Sequence, residues 1–122
     1  MEIIYYHSQD VAGDFAEVLC ASFPHISVYT SVSAFCTRLR HAPTQGVIII
    51  LAAADDKELM IHMSIRYLMK DARIILIVPT RDAALLVKAH TFHPRFIGDL
   101  ESDHQEVIAV IHKMLSRGDR WL

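Results

Sequence analysis

Hydrophobic and polar positions follow two periods along this chain, and the switch between them recurs five times. Glu2-Ile3-Ile4-Tyr5-Tyr6, His25-Ile26-Ser27-Val28-Tyr29, Val47 to Leu51, Arg73 to Val78 and Arg95-Phe96-Ile97 are short and rich in β-branched and aromatic residues. Pro, Gly, Ser or Thr bound them. Such runs predict strands. The third and fourth are continuously apolar, which predicts burial on both faces at the centre of a parallel sheet. Between strands, apolar residues recur at three- and four-residue spacing: Val11, Phe15, Val18 and Leu19; Val32, Phe35, Cys36 and Leu39; Ile61, Ile65 and Leu68; Val107, Val110, Ile111 and Met114. That period predicts helices, and a further helix is expected over Asp82 to Ala89.

Polar residues punctuate the helices. Asp10 is placed to cap the first, Ser31 or Thr30 the second, and Thr80 the fourth, while Gly118 is placed to end the fifth. Asp55 with Glu58, and Ser102 with Gln105, have capping-box spacing. Strand and helix alternating five times predict a doubly wound α/β sandwich. Right-handed crossovers place helices on both faces, and the flavodoxin-like strand order 2-1-3-4-5, with five helices, is the expected arrangement.

At 122 residues, one domain over 1–117 is expected, with 118–122 a C-terminal tail or the start of a linker. Cys20 and Cys36 both fall on apolar helical faces and read as core thiols, from which a cytoplasmic location is expected. The chain opens with Met1-Glu2 and a strand, so no secretory leader is expected. No apolar run approaches the roughly 20 residues that span a bilayer, so no membrane partner is expected. A net charge of −2, with Lys and Arg scattered singly, gives no footprint for direct nucleic-acid binding.

From Glu2 to about Arg117 the chain resembles the receiver domain of two-component response regulators in element order, length and core pattern. The resemblance is architectural. In that family two acidic residues after the first strand hold Mg²⁺, an Asp ending the third accepts phosphate, a Thr or Ser ends the fourth, and a Lys follows the fifth. Here the acidic pair falls on His7 and Ser8, the acceptor on Leu51 and the Lys on Asp99. Only Thr80 keeps the family type, one residue past Pro79. Aspartyl phosphorylation needs a carboxylate nucleophile, a hard cation and a fixed positive charge. Leu51 supplies no nucleophile, and Asp99 would bring repulsion. Asp55 and Asp56 lie four and five residues past the strand and read as helix N-terminal carboxylates. The resemblance is therefore to degenerate pseudo-receivers, with no catalytic residue, no cofactor and no enzymatic activity expected.

The eight histidines offer no metal-site spacing. His104 and His112 are eight residues apart, about 12 Å along a helix axis. His90 and His93 straddle a helix end beside Pro94. The four glycines, Gly13, Gly46, Gly98 and Gly118, form neither a phosphate loop nor a dinucleotide fingerprint. Ser8 beside His7 does not make a nucleophile and base, because neighbouring strand residues point to opposite faces.

Function then moves to surfaces. The receiver resemblance implies communication through the fourth helix, fifth strand and fifth helix. Its candidate residues are Arg81, Lys88, Arg95, Phe96, Asp103, Glu106, Lys113 and Arg117, whose mixed charge suits a self-complementary contact. The third helix, with Met60, Ile61, Met63, Ile65, Tyr67, Leu68 and Met69, is a second candidate surface. The expected function is a phosphorylation-independent receiver-like module in bacterial signal transduction or transcriptional regulation, acting by protein interaction or homodimerisation. The alternatives are a small-molecule sensor using the crevice around His7, Ser8, Ala52 and Thr80, or a histidine-based metal protein or enzyme.

Overall fold

The computed structural model describes residues 2–11, 14–101 and 104–116. Strands β1 (Ile3–Tyr6), β2 (Ser27–Tyr29), β3 (Ile48–Ala52), β4 (Arg73–Val78) and β5 (Phe96–Asp99) form one parallel sheet in the order β2-β1-β3-β4-β5. Helices α1 (Phe15–Ser22), α2 (Val32–His41), α3 (Asp56–Ser64), α4 (Ala83–His90) and α5 (Gln105–Ser116) cover its faces, and a 3₁₀ turn, η1 (Arg66–Met69), follows α3. This is the flavodoxin-like α/β arrangement that the alternating periods predict.

The pleat divides β3 between two cores. Ile49 and Leu51 join Tyr6, Leu76 and Val78 beneath Phe35 and Leu39 of α2, Leu59 of α3 and Ala89 of α4. Ile48, Ile50 and Ala52 join Tyr5, Ile75 and Ile77 beneath Phe15 and Leu19 of α1 and Val107, Ile108 and Ile111 of α5. Successive strand residues face opposite sides, so a strand covered on both must be apolar throughout. On the α5 side the sheet and helix approach closely at Gly98. A Cβ there would lie 3.0 Å from Val107 Cγ2 and 3.2 Å from Ile77 Cδ1, so the glycine permits this packing.

Several local expectations are corrected. α1 begins at Phe15 rather than after Asp10. Asp14 precedes it without a side-chain capping bond, and the Asp10 amide instead donates to Ser8 Oγ at 3.1 Å. α4 is capped by Asp82, whose carboxylate accepts from the Ala84 amide at 3.0 Å, and not by Thr80. β3 runs one residue past Leu51, and β5 runs on to Asp99. His7 and Ser8 lie beyond β1, in the connection to α1. Cys20 is exposed, whereas Cys36 is buried as expected. Ser31 caps α2 as expected. Ser102 and Gly118 lie outside the described residues.

Leu51 is fully buried. Leu51→Asp is expected to destabilise the fold by about 3 to 5 kcal/mol, from lost packing and a carboxylate in an apolar setting. Urea denaturation checks this; wild-type stability would mean that the side chain faces solvent.

Candidate functional site

Parallel strands bring their carboxyl ends to one edge, so the connections after β1, β3, β4 and β5 meet there. Two polar cross-links organise this edge. In the first, the Ser8 hydroxyl donates to Glu58 Oε2, joining the β1–α1 connection to the first turn of α3. Glu58 Oε1 accepts from the Ala54 amide at 2.8 Å, and the Glu58 amide donates to Asp55 Oδ1, also at 2.8 Å. Asp55 thus caps α3 as its spacing predicts. The reciprocal arm of the box reaches Ala54 one residue upstream, and Glu58 gains the distant Ser8 as a second partner.

The second cross-link joins the β4–α4 connection to β5. The Asp99 carboxylate is buried at the end of β5, with only 4% of its side chain exposed. Arg81 Nε donates to Asp99 Oδ2 at 2.8 Å, Arg81 Nη2 donates to the Ile97 carbonyl at 3.1 Å, and the Glu101 amide donates to Asp99 Oδ1 at 3.0 Å. A buried carboxylate is tolerated when it is paired and its lone pairs are filled. The repulsion expected from Asp99 is therefore answered by an arginine from the neighbouring loop.

His62 lies beneath the first cross-link, on the buried side of α3 and 2% exposed. Its Nε2 faces the Ala52 carbonyl at 3.0 Å. A carbonyl only accepts, so Nε2 carries the proton and Nδ1 is bare. Nδ1 is buried and has no hydrogen-bond partner among the described residues. The imidazole meets Tyr6 edge to face, with centroids 5.4 Å apart. Burial holds the His62 pKa below its ordinary value near 6.5, against smaller opposing effects of the Ala52 carbonyl and Glu58. Tyr6 is pushed upward, first by burial and then by Glu58 and Cys36.

The receiver-type centre can be compared with these groups position by position. Leu51 is apolar and buried, Ala52 and Ala53 are buried, and Thr80 is partly exposed in the β4–α4 connection. His7 directs Nδ1 to the Ser8 carbonyl at 2.8 Å and stacks on Tyr5. Magnesium prefers carboxylate and water oxygens in octahedral array. The carboxylate bonded to Ser8 is that of Glu58, already engaged on both oxygens, so this donor set does not fit the ion. No cluster of three His, Cys, Asp or Glu side chains suited to a metal occurs among the described residues.

The expected interaction residues lie on and beside α4, β5 and α5 among the described residues. Arg95 is exposed before β5, Phe96 packs partly into the α1–α5 core, and Glu106 and Lys113 are exposed on α5. Lys88 turns toward α3, donating to both Asp56 oxygens at 2.9 and 3.0 Å. Asp103 and Arg117 lie outside the described residues. Arg81, Leu86, His90 and Phe96 help line a groove of about 290 Å³ between α4 and β5. Met60, Ile61 and Tyr67 are exposed, whereas Met69 is fully buried.

Comparison with protein-family models, curated proteins and solved structures returns no match. No helix among the described residues is long and apolar enough to cross a membrane.

Ser8→Ala is expected to lower stability by about 1 kcal/mol, because Glu58 loses a partner in a partly buried setting, while the Asp10 amide, at an exposed bond, can turn to water. Chemical denaturation checks the loss. His62 gives a pH signature. Its folded pKa lies below its unfolded value, so its neutral form contributes fully above about pH 6.5 and the contribution falls as the pH drops below that. Denaturation midpoints are expected to fall less between about pH 7 and 5.5 in His62→Gln than in wild type, whereas parallel slopes would place the proton uptake elsewhere.

Proposed function

We propose that this chain is a receiver-like signalling module that works without phosphorylation, through protein contacts made by its surface. The observation that carries the reading is the filling of the strand-end edge: a buried leucine at the acceptor position, with Ser8–Glu58 and Asp99–Arg81 spanning the loops on either side. In receivers these loops are where a phosphoryl group acts. Here internal polar bonds hold them, so no ligand is required to order them. What the domain offers a partner is then a constant surface.

The surface favoured is that of α4, β5 and α5. β5 is an edge strand, its groove against α4 is partly apolar, and exposed Arg95, Glu106 and Lys113 carry both signs of charge. Opposite charges on one patch can pair across a two-fold axis. The role is that of a dimerisation or docking domain in bacterial signal transduction or transcriptional regulation, within the cytoplasm.

A dimer is expected without any phosphodonor, and Arg95→Glu with Lys113→Glu is expected to weaken it by like-charge repulsion. Equilibrium sedimentation measures this. A strict monomer at high micromolar concentration would remove homodimerisation, and a dimer indifferent to both reversals would move the interface elsewhere.

A further inference from the structure

The five helices all start at the carboxyl edge of the sheet and end at the opposite edge, and the charged residues are divided between the two ends. At the carboxyl edge, Asp10, Asp55, Asp82, Glu101 and Glu106 are exposed. Of the cations nearby, Arg81 is taken by Asp99, Lys88 by Asp56, and Lys57 is exposed in the first turn of α3. At the opposite end stand Arg40 in the last turn of α2, Lys70 after η1 and Lys113 in the last turn of α5, together with Arg66 of η1, which donates to the Phe92 carbonyl, and Arg73 and Arg95, at the start of β4 and just before β5, which are engaged within the chain. The acids there are Glu2, taken by Arg38, and Asp71.

Complementing helix dipoles accounts for part of this division, since acids favour N-termini and bases C-termini. It does not account for Lys70, or for Asp10 and Glu101, which lie outside the α-helices and are exposed. The basic end also carries apolar surface at one corner. η1 packs beside α2, Tyr67 is 65% exposed, and Met63, Arg66, Thr91 and Phe92 line a depression of about 240 Å³ between α3, η1 and the end of α4. Charge alone would serve any polyanion, but the surface complementary to this end is already present at the opposite end of the molecule.

We infer that the η1 corner of the basic end docks onto the acidic carboxyl-edge end of a second copy, head to tail. This contact is heterologous, so each copy keeps one unused end and association continues instead of closing at a pair. It differs in symmetry from the two-fold contact of the α4–β5–α5 face, which stops at a dimer; Arg95, Glu106 and Lys113 border both, so the substitutions that test it are placed at Arg40, Lys70, Asp10 and Glu101, outside those three elements.

Sedimentation velocity of the full chain at about pH 7.5 tests it, at roughly 20 and 300 mM salt, where screening lengths differ several-fold. In low salt the average sedimentation coefficient is expected to rise with concentration without a plateau, and in high salt to lose that rise. Arg40→Glu with Lys70→Glu is expected to abolish the growth, as is Asp10→Lys with Glu101→Lys. An equimolar mixture of the two doubly substituted chains is expected to associate again, because each brings an intact end matching the other's; that recovery also shows both are folded. Growth that stops at a dimer, a basic-end variant that grows like wild type, or a mixture no more associated than its components would each overturn the contact. A wild-type monomer in low salt that is retained on heparin would assign the basic end to a polyanion and likewise overturn it.

Discussion

Because β3 pairs in parallel with β1 on one side and β4 on the other, the chain must return across the sheet after every strand, and a helix makes each return. Both faces of β3 are then covered, which is why Ile48 to Ala52 carry no polar side chain. The same pairing gathers the connections after β1, β3, β4 and β5 at one edge and aligns the helices in one direction. The layout of polar bonds at that edge, and the separation of charge between the two ends, both follow from it.

At the carboxyl edge, a phosphoryl-transfer centre would concentrate like charges in a small volume and would need a metal ion to hold them together. This protein distributes its charges differently. Glu58 is satisfied by a hydroxyl and by backbone amides, and Asp99 by a guanidinium and an amide. Both carboxylates are closed within the chain, and their bonds tie the connections after β1 and β4 to α3 and β5. Nδ1 of His62 is the exception, a buried polar atom with no hydrogen-bond partner among the described residues.

Strand identity was legible because burial on two faces leaves an unbroken apolar run. β4 matches its run residue for residue, Arg73 to Val78. Helix limits were harder. Val11 continues the apolar spacing of α1 into a loop, and Asp10 and Asp14 offer the same capping chemistry four residues apart. The period of Ile61, Ile65 and Leu68 predicted a single helix, yet α3 ends at Ser64 with Leu59 and His62 facing the core and Ile61 exposed, while Ile65 and Leu68 pack against the core from its C-cap and from η1. A polar residue on the buried face defeats a pattern read from hydrophobicity alone. The Asp55 cap was readable from local spacing. The Ser8–Glu58 and Arg81–Asp99 bonds span 50 and 18 residues, and no periodic signal connects residues so far apart. Only the fold brings them together.

The central claim is that the carboxyl edge is closed to phosphoryl chemistry. The most direct measurement is a titration of the ¹⁵N-labelled protein with beryllofluoride and Mg²⁺, followed through the amide resonances of Ser8, Ala53, Thr80 and Asp99. Unchanged positions at saturating additions are expected, because the acceptor position holds the buried Leu51 and the carboxylates of Glu58 and Asp99 are bonded within the chain. Saturable shifts at these four amides, accompanied by a phosphoaspartate under acetyl phosphate, would contradict it.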